Sequence, residues 1–479
     1  MNTELTNDGS QAGLSFRWAL AGLSLSMLLS SFGTSVANVG LPTFAQAFAA
    51  SFQEVQWIVL AYLLAITTLI VSVGRFGDLI GRRRLMLGGI VVFTVASVLC
   101  GVAPTLPFLV AARAVQGLGA AVMMALTVAF VGETVPKARA GSAMGLLGTM
   151  SAIGTALGPS VGGTLIAGCG WRAIFLVNVP LGLLTLFLAH RHLPIDRARA
   201  KLQRAGFDPA GTLLLALTLG AYALAVTLGR GEFGSLNLAL MLAALFGAGL
   251  FVLVEARTAA PLIRLAAFRN PVLGAGLATS ALVSTVMMAT LVVGPFYLSR
   301  TLGLDAWAVG LALSAGPLAA ALVSVPAGQL ADRYGAPRAT LVGLAGIATG
   351  SLTLSMMPAT LGVPGYIVPI VVVTVGYALF QTANNTAFMA EVSPDERGAM
   401  SGMLNLSRNL GLVTGASVMG AVFALASGAG DIAVAPPEAV ATGMQITFAV
   451  AAMMMVVATA IAAGAYRRAN ALEACIETS

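Results

Sequence analysis

The sequence predicts an all-α membrane protein in which two similar six-helix bundles are separated by two inserted helices. Hydrophobic residues make up 58% of the 479-residue chain and charged residues 9%, whereas charged residues make up roughly 25% of a typical soluble domain. The chain contains fourteen apolar runs, and a membrane-spanning helix needs about 20 apolar residues. Short motifs also recur about 256 residues apart, which predicts an internal repeat.

The apolar runs set the predicted order of helices and domains. The predicted spans lie at about 17–41, 55–74, 85–103, 107–131, 141–168, 171–190, 209–229, 236–255, 271–298, 306–331, 338–357, 364–390, 398–425 and 443–466. They divide the chain into a tail, an N-terminal bundle, a basic linker, an inserted hairpin, a basic connector, a C-terminal bundle and a second tail, at 1–16, 17–190, 191–207, 208–256, 257–270, 271–466 and 467–479.

The distribution of basic residues predicts the topology. If the N-terminal tail is cytoplasmic, twenty of the 25 Lys and Arg residues fall on cytoplasmic segments, as expected because cationic loops are retained on that side. The net charge of +7 therefore reflects membrane orientation and does not indicate nucleic-acid binding. We expect a multi-pass protein of the bacterial inner membrane with both termini cytoplasmic.

A glycine- and arginine-rich loop between the second and third spans carries the first family signature. It reads GRFGDLIGRRR over 74–84, and a degenerate copy over 328–338 repeats its first and third glycines, its acid and its last arginine. The loop resembles the one between helices two and three of the major facilitator superfamily. That resemblance implies a conformational latch formed by Gly74, Asp78, Gly81, Arg82, Arg83, Asp332 and Gly335.

Further motifs resemble the fourteen-span drug:proton antiporter subfamily of that superfamily. They are the RAVQGLG run at 113–119, the GTALGPSVGG run at 154–163, the NVGLP run at 38–42 and the WRAIFLVNVP run at 171–180. The resemblance implies a major facilitator fold and proton-driven efflux of amphipathic drugs or metabolites. It also implies a role in transport or coupling for Arg113, Gln116 and Gly117.

The fifth span carries small residues that predict a close helix contact. Gly154, Gly158 and Gly162 recur every four residues, so they lie on one helix face and let a neighbouring backbone approach. Plain helix packing is one interpretation. Because Pro159 and Gly163 lie within the same motif, we favour a pivot between outward-open and inward-open states.

Arg113 lies about six residues into the fourth span, where a charge costs at least about 2.5 kcal/mol and usually faces a cavity or a partner. We expect Arg113 to face a cavity, because Gln116 and Gly117 at i+3 and i+4 share its helix face. Snorkelling to the headgroups is the alternative. The subfamily's usual span-one aspartate corresponds here to Gly33. We therefore expect substrate, lipid or neighbouring amides to satisfy Arg113, with Asn38 as the nearest candidate.

Polar residues elsewhere in the spans are candidates for lining a substrate cavity. Packing between helices is the favoured alternative for the amides, and snorkelling to the cytoplasmic side is the alternative for Arg408. The candidates are Asn38, Gln381, Asn384, Asn385 and Arg408.

The sequence as a whole predicts a monomeric proton-driven exporter that uses small-molecule substrates and needs no cofactor or metal. A carrier of organic anions with Arg113 contacting substrate is the alternative, and a non-transporting sensor is a third. No nucleophile–base set, metal cluster or phosphate-binding loop indicates an enzyme.

Overall fold

The computed structural model describes residues 3–134, 137–194, 209–228, 234–258, 270–392, 397–428, 432 and 435–477. Within these ranges the regular elements are helices. The N-terminal half contains six long helices, α1 to α6, at Thr3–Val39, Phe52–Ile80, Arg82–Gly101, Leu106–Thr134, Lys137–Cys169 and Asn178–His192. Two short helices, Leu41–Ala47 and Ala173–Leu176, precede α2 and α6.

The rest of the described chain contains a helical hairpin and a second set of six long helices. The hairpin consists of α7 and α8, at Pro209–Thr227 and Ser235–Arg257. The C-terminal half consists of α9 to α14, at Pro271–Phe296, Ala306–Tyr334, Ala336–Met356, Gly362–Ala390, Arg397–Thr414 and Pro437–Glu477. A π-helical turn, Tyr297–Thr301, extends α9, and another, Gly415–Met419, joins α13 to a final helical turn at Gly420–Ala426.

Each predicted apolar run coincides with one of these helices, so the predicted all-α membrane architecture is confirmed. Among the described residues, twelve helices are long and apolar enough to cross a membrane. Two shorter apolar segments, Ile153–Cys169 in α5 and Ala210–Ala225 in α7, complete the predicted set. The count of fourteen crossings stays a prediction, as do the domain boundaries.

Chain reversal at equivalent loops shows how the two halves repeat each other. Gly81 separates α2 from α3 with a φ of 102°, and Gly335 separates α10 from α11 with a φ of 86°. Residues with a side chain rarely adopt this left-handed backbone conformation, whereas glycine adopts it without steric cost. One glycine therefore suffices to reverse the chain in each half, which explains why the degenerate copy of the loop retains it.

Packing of the glycine-bearing helices repeats in the same way. A Cβ atom added at Gly154 of α5 would overlap the carbonyl oxygen of Leu28 in α1. A Cβ atom added at Gly411 of α13 would overlap the carbonyl oxygen of Ala281 in α9. The α1–α5 and α9–α13 pairs are thus equivalent contacts, as expected if the halves are parallel repeats.

The helix bundle has two ends, and each is named here by a glycine that lies at it. The Gly81 end carries the reversals at Gly81 and Gly335, and the Gly170 end carries Gly170 and the starts of α2 and α10 at Ser51 and Asp305. Ser51 and Glu54 form a reciprocal capping box at the start of α2, which satisfies two backbone donors. The helices between the two ends hold the candidate site.

Candidate functional site

Arg113 of α4 lies fully buried inside the N-terminal half. Its Nε donates a hydrogen bond to the carbonyl oxygen of Ile58 at 3.0 Å, and its Nη2 donates to the carbonyl oxygen of Gly33 at 2.9 Å. Its Nη1 donates to Oε1 of Gln116 at 2.6 Å. The guanidinium therefore joins α1, α2 and α4 through neutral acceptors.

An aromatic ring completes the surroundings of this guanidinium. The Tyr62 ring centroid lies 4.0 Å from Cζ of Arg113, which is within the range of a cation–π interaction worth about 2 kcal/mol when desolvated. The Tyr62 hydroxyl donates to the carbonyl oxygen of Ser30 at 2.8 Å. Tyr62 and the three acceptors thus stabilise a buried cation, and none of these described partners is a carboxylate.

Gln116 extends the network towards α3. Its Nε2 donates to Oγ of Ser97 at 2.7 Å, and the Ser97 hydroxyl donates to the carbonyl oxygen of Phe93 at 2.7 Å. Gly117 has a packing role, because a Cβ atom there would lie 2.5 Å from the carbonyl oxygen of Tyr62. The structure therefore brings Arg113 and Gln116 together and places Gly117 at the α2–α4 contact.

Two expectations for Arg113 are corrected by these contacts. We expected a cavity-facing side chain, but in this structure Arg113 is fully buried, because backbone carbonyls and an aromatic face supply the partners that a cavity would otherwise provide. Asn38 is also not its partner, since the Asn38 Nδ2 donates to the carbonyl oxygens of Thr34 and Ser35 within its own helix. The neighbouring amide is that of Gln116.

A second polar group lies on α12 and α13 in the C-terminal half. Tyr377, Gln381 and Asn385 follow one another at four-residue spacing on α12, and all three side chains are half-buried. Asn385 Oδ1 accepts a hydrogen bond from Nη2 of the half-buried Arg408 on α13. Asn384 points elsewhere, because its Nδ2 donates to Oγ of Ser280 on α9 at 2.9 Å. Asn385 and Arg408 therefore form a pair from which Asn384 is separate.

The two halves touch through backbone at the Gly170 end. A Cβ atom at Gly163 of α5 would lie 2.5 Å from the carbonyl oxygen of Ala306, and one at Gly310 of α10 would lie 2.5 Å from the carbonyl oxygen of Pro159. Gly154, Gly158 and Gly162 instead face α1 within their own half. The predicted pivot motif thus divides into an α1-facing stripe and an interface formed by Pro159 and Gly163.

Aromatic and amide side chains form a second contact between the halves at the same end. The Phe52 ring of α2 lies 4.9 Å from the Phe296 ring and 5.6 Å from the Phe423 ring. Gln56 Nε2 donates to the carbonyl oxygen of Ala416 at 2.9 Å. These contacts join α2 to α9 and to the two helical turns that follow α13, so the halves also meet here at the Gly170 end.

The hairpin α7–α8 lies across both halves. The hydroxyls of Ser72 in α2 and Thr212 in α7 are 2.7 Å apart. Leu215 of α7 and Phe251 of α8 pack in one cluster with Leu406 of α13. The inserted hairpin therefore covers the line where α2 and α13 meet, which the sequence did not indicate.

The latch proposed for the Gly81 end is only partly described. The side-chain surroundings of Gly74, Asp78 and Asp332 lie outside the described residues. Arg83 Nη2 donates to the carbonyl oxygen of His190 at 2.5 Å, and the Arg82 side chain passes 3.1 Å from the position of a Cβ atom at Gly77. The basic run thus contacts α6 and the end of α2, and its role as a latch stays a prediction.

Comparison with known proteins identifies similar chains. The sequence profile described as Major Facilitator Superfamily matches residues 23–416. The multidrug resistance protein Stp of Mycobacterium tuberculosis is 32% identical over 84% of this chain and 74% of its own length. The riboflavin transporter RibZ of Clostridioides difficile is 29% identical over 84% of this chain and 87% of its own length.

A solved structure supports the fold. The bacterial homologue of the human lysosomal transporter Spinster, in an inward-facing and unoccupied conformation, has a TM-score of 0.68 at 16% identity. The alignment covers 95% of this chain and 97% of that chain. At this identity the likeness concerns the arrangement of helices.

Proposed function

Because the chain belongs to the Major Facilitator Superfamily, and is therefore a membrane transporter and not an enzyme, we propose that it exports amphipathic drugs or metabolites. Membership of the fourteen-span drug:proton antiporter subfamily, with protons as the driving ion, is part of this proposal. The name of the relative Stp supports drug efflux, and the name of the relative RibZ supports transport of a metabolite.

The backbone contact between Gly163 and Gly310 is the observation that carries alternating access. It joins α5 of one half to α10 of the other at the Gly170 end. The helices can approach this closely because neither residue has a side chain. Separation of the halves at this end would open the bundle there by parting backbone surfaces that touch at Gly163 and Gly310. Such rocking of one repeat against the other is how transporters built from repeats alternate access.

The basic run at the Gly81 end supports an orientation. Because Arg and Lys are retained on the cytoplasmic side, we place the Gly81 end in the cytoplasm, with the N- and C-termini on the same side. Closure at the Gly170 end then corresponds to an inward-facing state. We propose that the transporter acts as a monomer in the bacterial inner membrane.

Proton coupling requires a group that binds and releases a proton, and Arg113 cannot supply it, since arginine stays charged in proteins. A buried carboxylate is the usual carrier. Among the carboxylates whose side-chain burial the structure describes, Glu255 near the end of α8 is the one that is fully buried, at 2% exposure. We assign it as the candidate proton carrier.

Transport by purified protein in liposomes tests the proposal. With a pH gradient imposed across the bilayer, amphipathic compounds from a broad panel should accumulate against their concentration gradient, and collapse of the pH gradient with an ionophore should stop this accumulation. Accumulation that persists after collapse of the pH gradient would exclude proton-driven efflux, and a panel without any transported compound would exclude a broad exporter.

A further inference from the structure

Arg408 is a second arginine within the predicted spans, and it differs from Arg113 in burial and in hydrogen bonding. It lies eleven residues beyond the start of α13 at Arg397, which is about 16 Å along the helix axis and thus well within a hydrocarbon layer of about 30 Å. A charge at that depth usually faces a partner or a water-filled cavity. Arg408 is half-buried, whereas Arg113 is fully buried.

The hydrogen bonds of the two arginines differ in number. A guanidinium carries five N–H donors. Arg113 uses three of its nitrogens in hydrogen bonds, whereas Arg408 makes one hydrogen bond, to Asn385, in the part of the chain that the structure describes. Most of the Arg408 donors are therefore available to a ligand.

The surroundings of Arg408 combine polar and apolar surface. Asn385 holds one edge of the guanidinium. The half-buried Gln381, one turn along α12, makes no hydrogen bond among the described side chains. Leu412, one turn beyond Arg408 on α13, is half-buried and packs at the edge of the apolar core. A ligand here would meet a cation, amides and an apolar surface within about two helical turns.

We propose that Arg408 and Asn385 bind the carboxylate group of an amphipathic anion, which is the substrate class of this transporter. The planar guanidinium can donate two parallel hydrogen bonds to a carboxylate, and Asn385 fixes the orientation of the plane. Leu412 accepts the apolar part of the ligand. This inference rests on the proposed export function, since it names the substrate class of the same transporter.

Binding of a matched ligand pair to purified protein in lipid nanodiscs tests the inference directly. The probes are a fluorescent naphthalene carboxylate and its primary amide, which have the same apolar part. We expect the wild-type protein to bind the carboxylate about tenfold more tightly, as the loss of one charge-assisted hydrogen bond predicts. Equal affinity for acid and amide would overturn the proposal.

Variants test whether Arg408 and Asn385 cause the preference for the carboxylate probe over its amide. Arg408→Gln should abolish the preference, and Arg408→Lys should retain part of it because the charge remains but the planar fork is lost. Asn385→Ala, which keeps the cation, should reduce it. Arg172→Gln removes an exposed cation at the Gly170 end and should leave the ratio unchanged. If Arg408→Gln or Arg408→Lys, checked for a monodisperse elution profile, keeps the full preference, the site is wrong.

Transport measured beside binding separates this inference from the export proposal. If the wild-type protein prefers the carboxylate through Arg408 but moves no compound across liposomes, export is excluded and the binding site stands. If the protein exports neutral compounds and Arg408→Gln leaves both acid binding and transport unchanged, the binding site is excluded and export stands.

Discussion

The Tyr62 ring lies 4.0 Å from the guanidinium carbon of Arg113, and the Tyr62 hydroxyl fills the space beside Gly33, where a Cβ atom would lie only 2.8 Å from it. In the subfamily that the sequence resembles, an aspartate is usual at this position. Here the residue is glycine, and the Tyr62 hydroxyl lies where the aspartate side chain would begin. The Gly33 carbonyl oxygen accepts the hydrogen bond from Arg113. The absence of a side chain at Gly33 and the presence of Tyr62 are therefore two parts of one arrangement.

Introducing the aspartate should consequently destabilise the protein unless Tyr62 also changes. Gly33→Asp places a carboxylate near Arg113 but forces the Tyr62 ring to move, whereas the double variant Gly33→Asp with Tyr62→Leu provides space for it. We expect thermal unfolding in detergent to show a lower midpoint for Gly33→Asp and recovery in the double variant. Gly33→Ala adds the steric contact without charge and should also lower the midpoint. A single Gly33→Asp variant as stable as wild type would contradict this account.

The double variant also tests how charge at this site affects specificity. A carboxylate beside Arg113 would neutralise the cation, and we expect the preference among transported compounds to shift towards cations. Transport measured against pH for wild type and for the double variant checks this. An unchanged preference would show that the Arg113 region does not influence substrate selection.

Removal of Arg113 should mainly reduce stability. Arg113→Ala leaves Oε1 of Gln116 without its donor in a buried position, and it removes the bonds that tie the Gly33 and Ile58 carbonyls to α4. Each unsatisfied buried group costs about 1–3 kcal/mol. We expect a large loss of folded protein in size-exclusion and thermal-unfolding assays, with Arg113→Lys intermediate. Arg172→Ala, at an exposed cation, is the control, and normal stability of Arg113→Ala would refute a structural role.

The sequence predicts the helices more fully than the contacts between them. Apolar runs predicted each long helix because a span must be apolar along its length. The position of Arg113 was also visible, since a charge in a span stands out. Its partners were not, because two of them are backbone carbonyls, at Gly33 and Ile58, and any residue type offers a carbonyl. They become neighbours only when α1, α2 and α4 pack together.

The glycine motif of α5 shows the same limit. Its spacing predicted a close contact, and Gly154, Gly158 and Gly162 do pack closely against α1. Nothing in the spacing indicated that Gly163 would meet Gly310 of the other half, because that contact depends on how the halves are placed. The π-helical turns at the ends of α9 and α13 likewise follow from packing and not from apolar periodicity.

Bulky residues at the interface of the halves should keep the Gly170 end open. Gly163→Leu or Gly310→Leu introduces a side chain whose Cβ atom would lie only 2.5 Å from a backbone oxygen of the other half. We expect spin labels on the Gly170-end turns of α5 and α10 to move apart by several ångströms and transport to be lost. Gly168→Leu is the matched control, because it lies on the same helix with open space around it. Unchanged label distances in Gly163→Leu would contradict the rocking mechanism.

The proposed topology can be tested separately from transport. Reporter fusions after Arg204 and after Arg269 should report a cytoplasmic location, and a fusion after Gly231 should report the opposite side, because α7 and α8 would each cross the membrane. All three fusion sites lie outside the described residues, so the result would be independent of the structure. A cytoplasmic signal after Gly231 would exclude fourteen crossings.

Glu255 provides the test of proton coupling. Its side chain is 2% exposed, and it lies one turn beyond Phe251, which packs with Leu406 of α13 at the line between the halves. Movement of the halves would therefore change the surroundings of this carboxylate, and a change in surroundings is what makes a carboxylate bind or release a proton. Glu255→Gln, which resembles the protonated form, should abolish accumulation driven by a pH gradient while preserving exchange of substrate without a gradient. Glu438→Gln, at an exposed carboxylate at the start of α14, should leave both activities intact. Gradient-driven accumulation by Glu255→Gln at the wild-type rate would exclude Glu255 as the carrier.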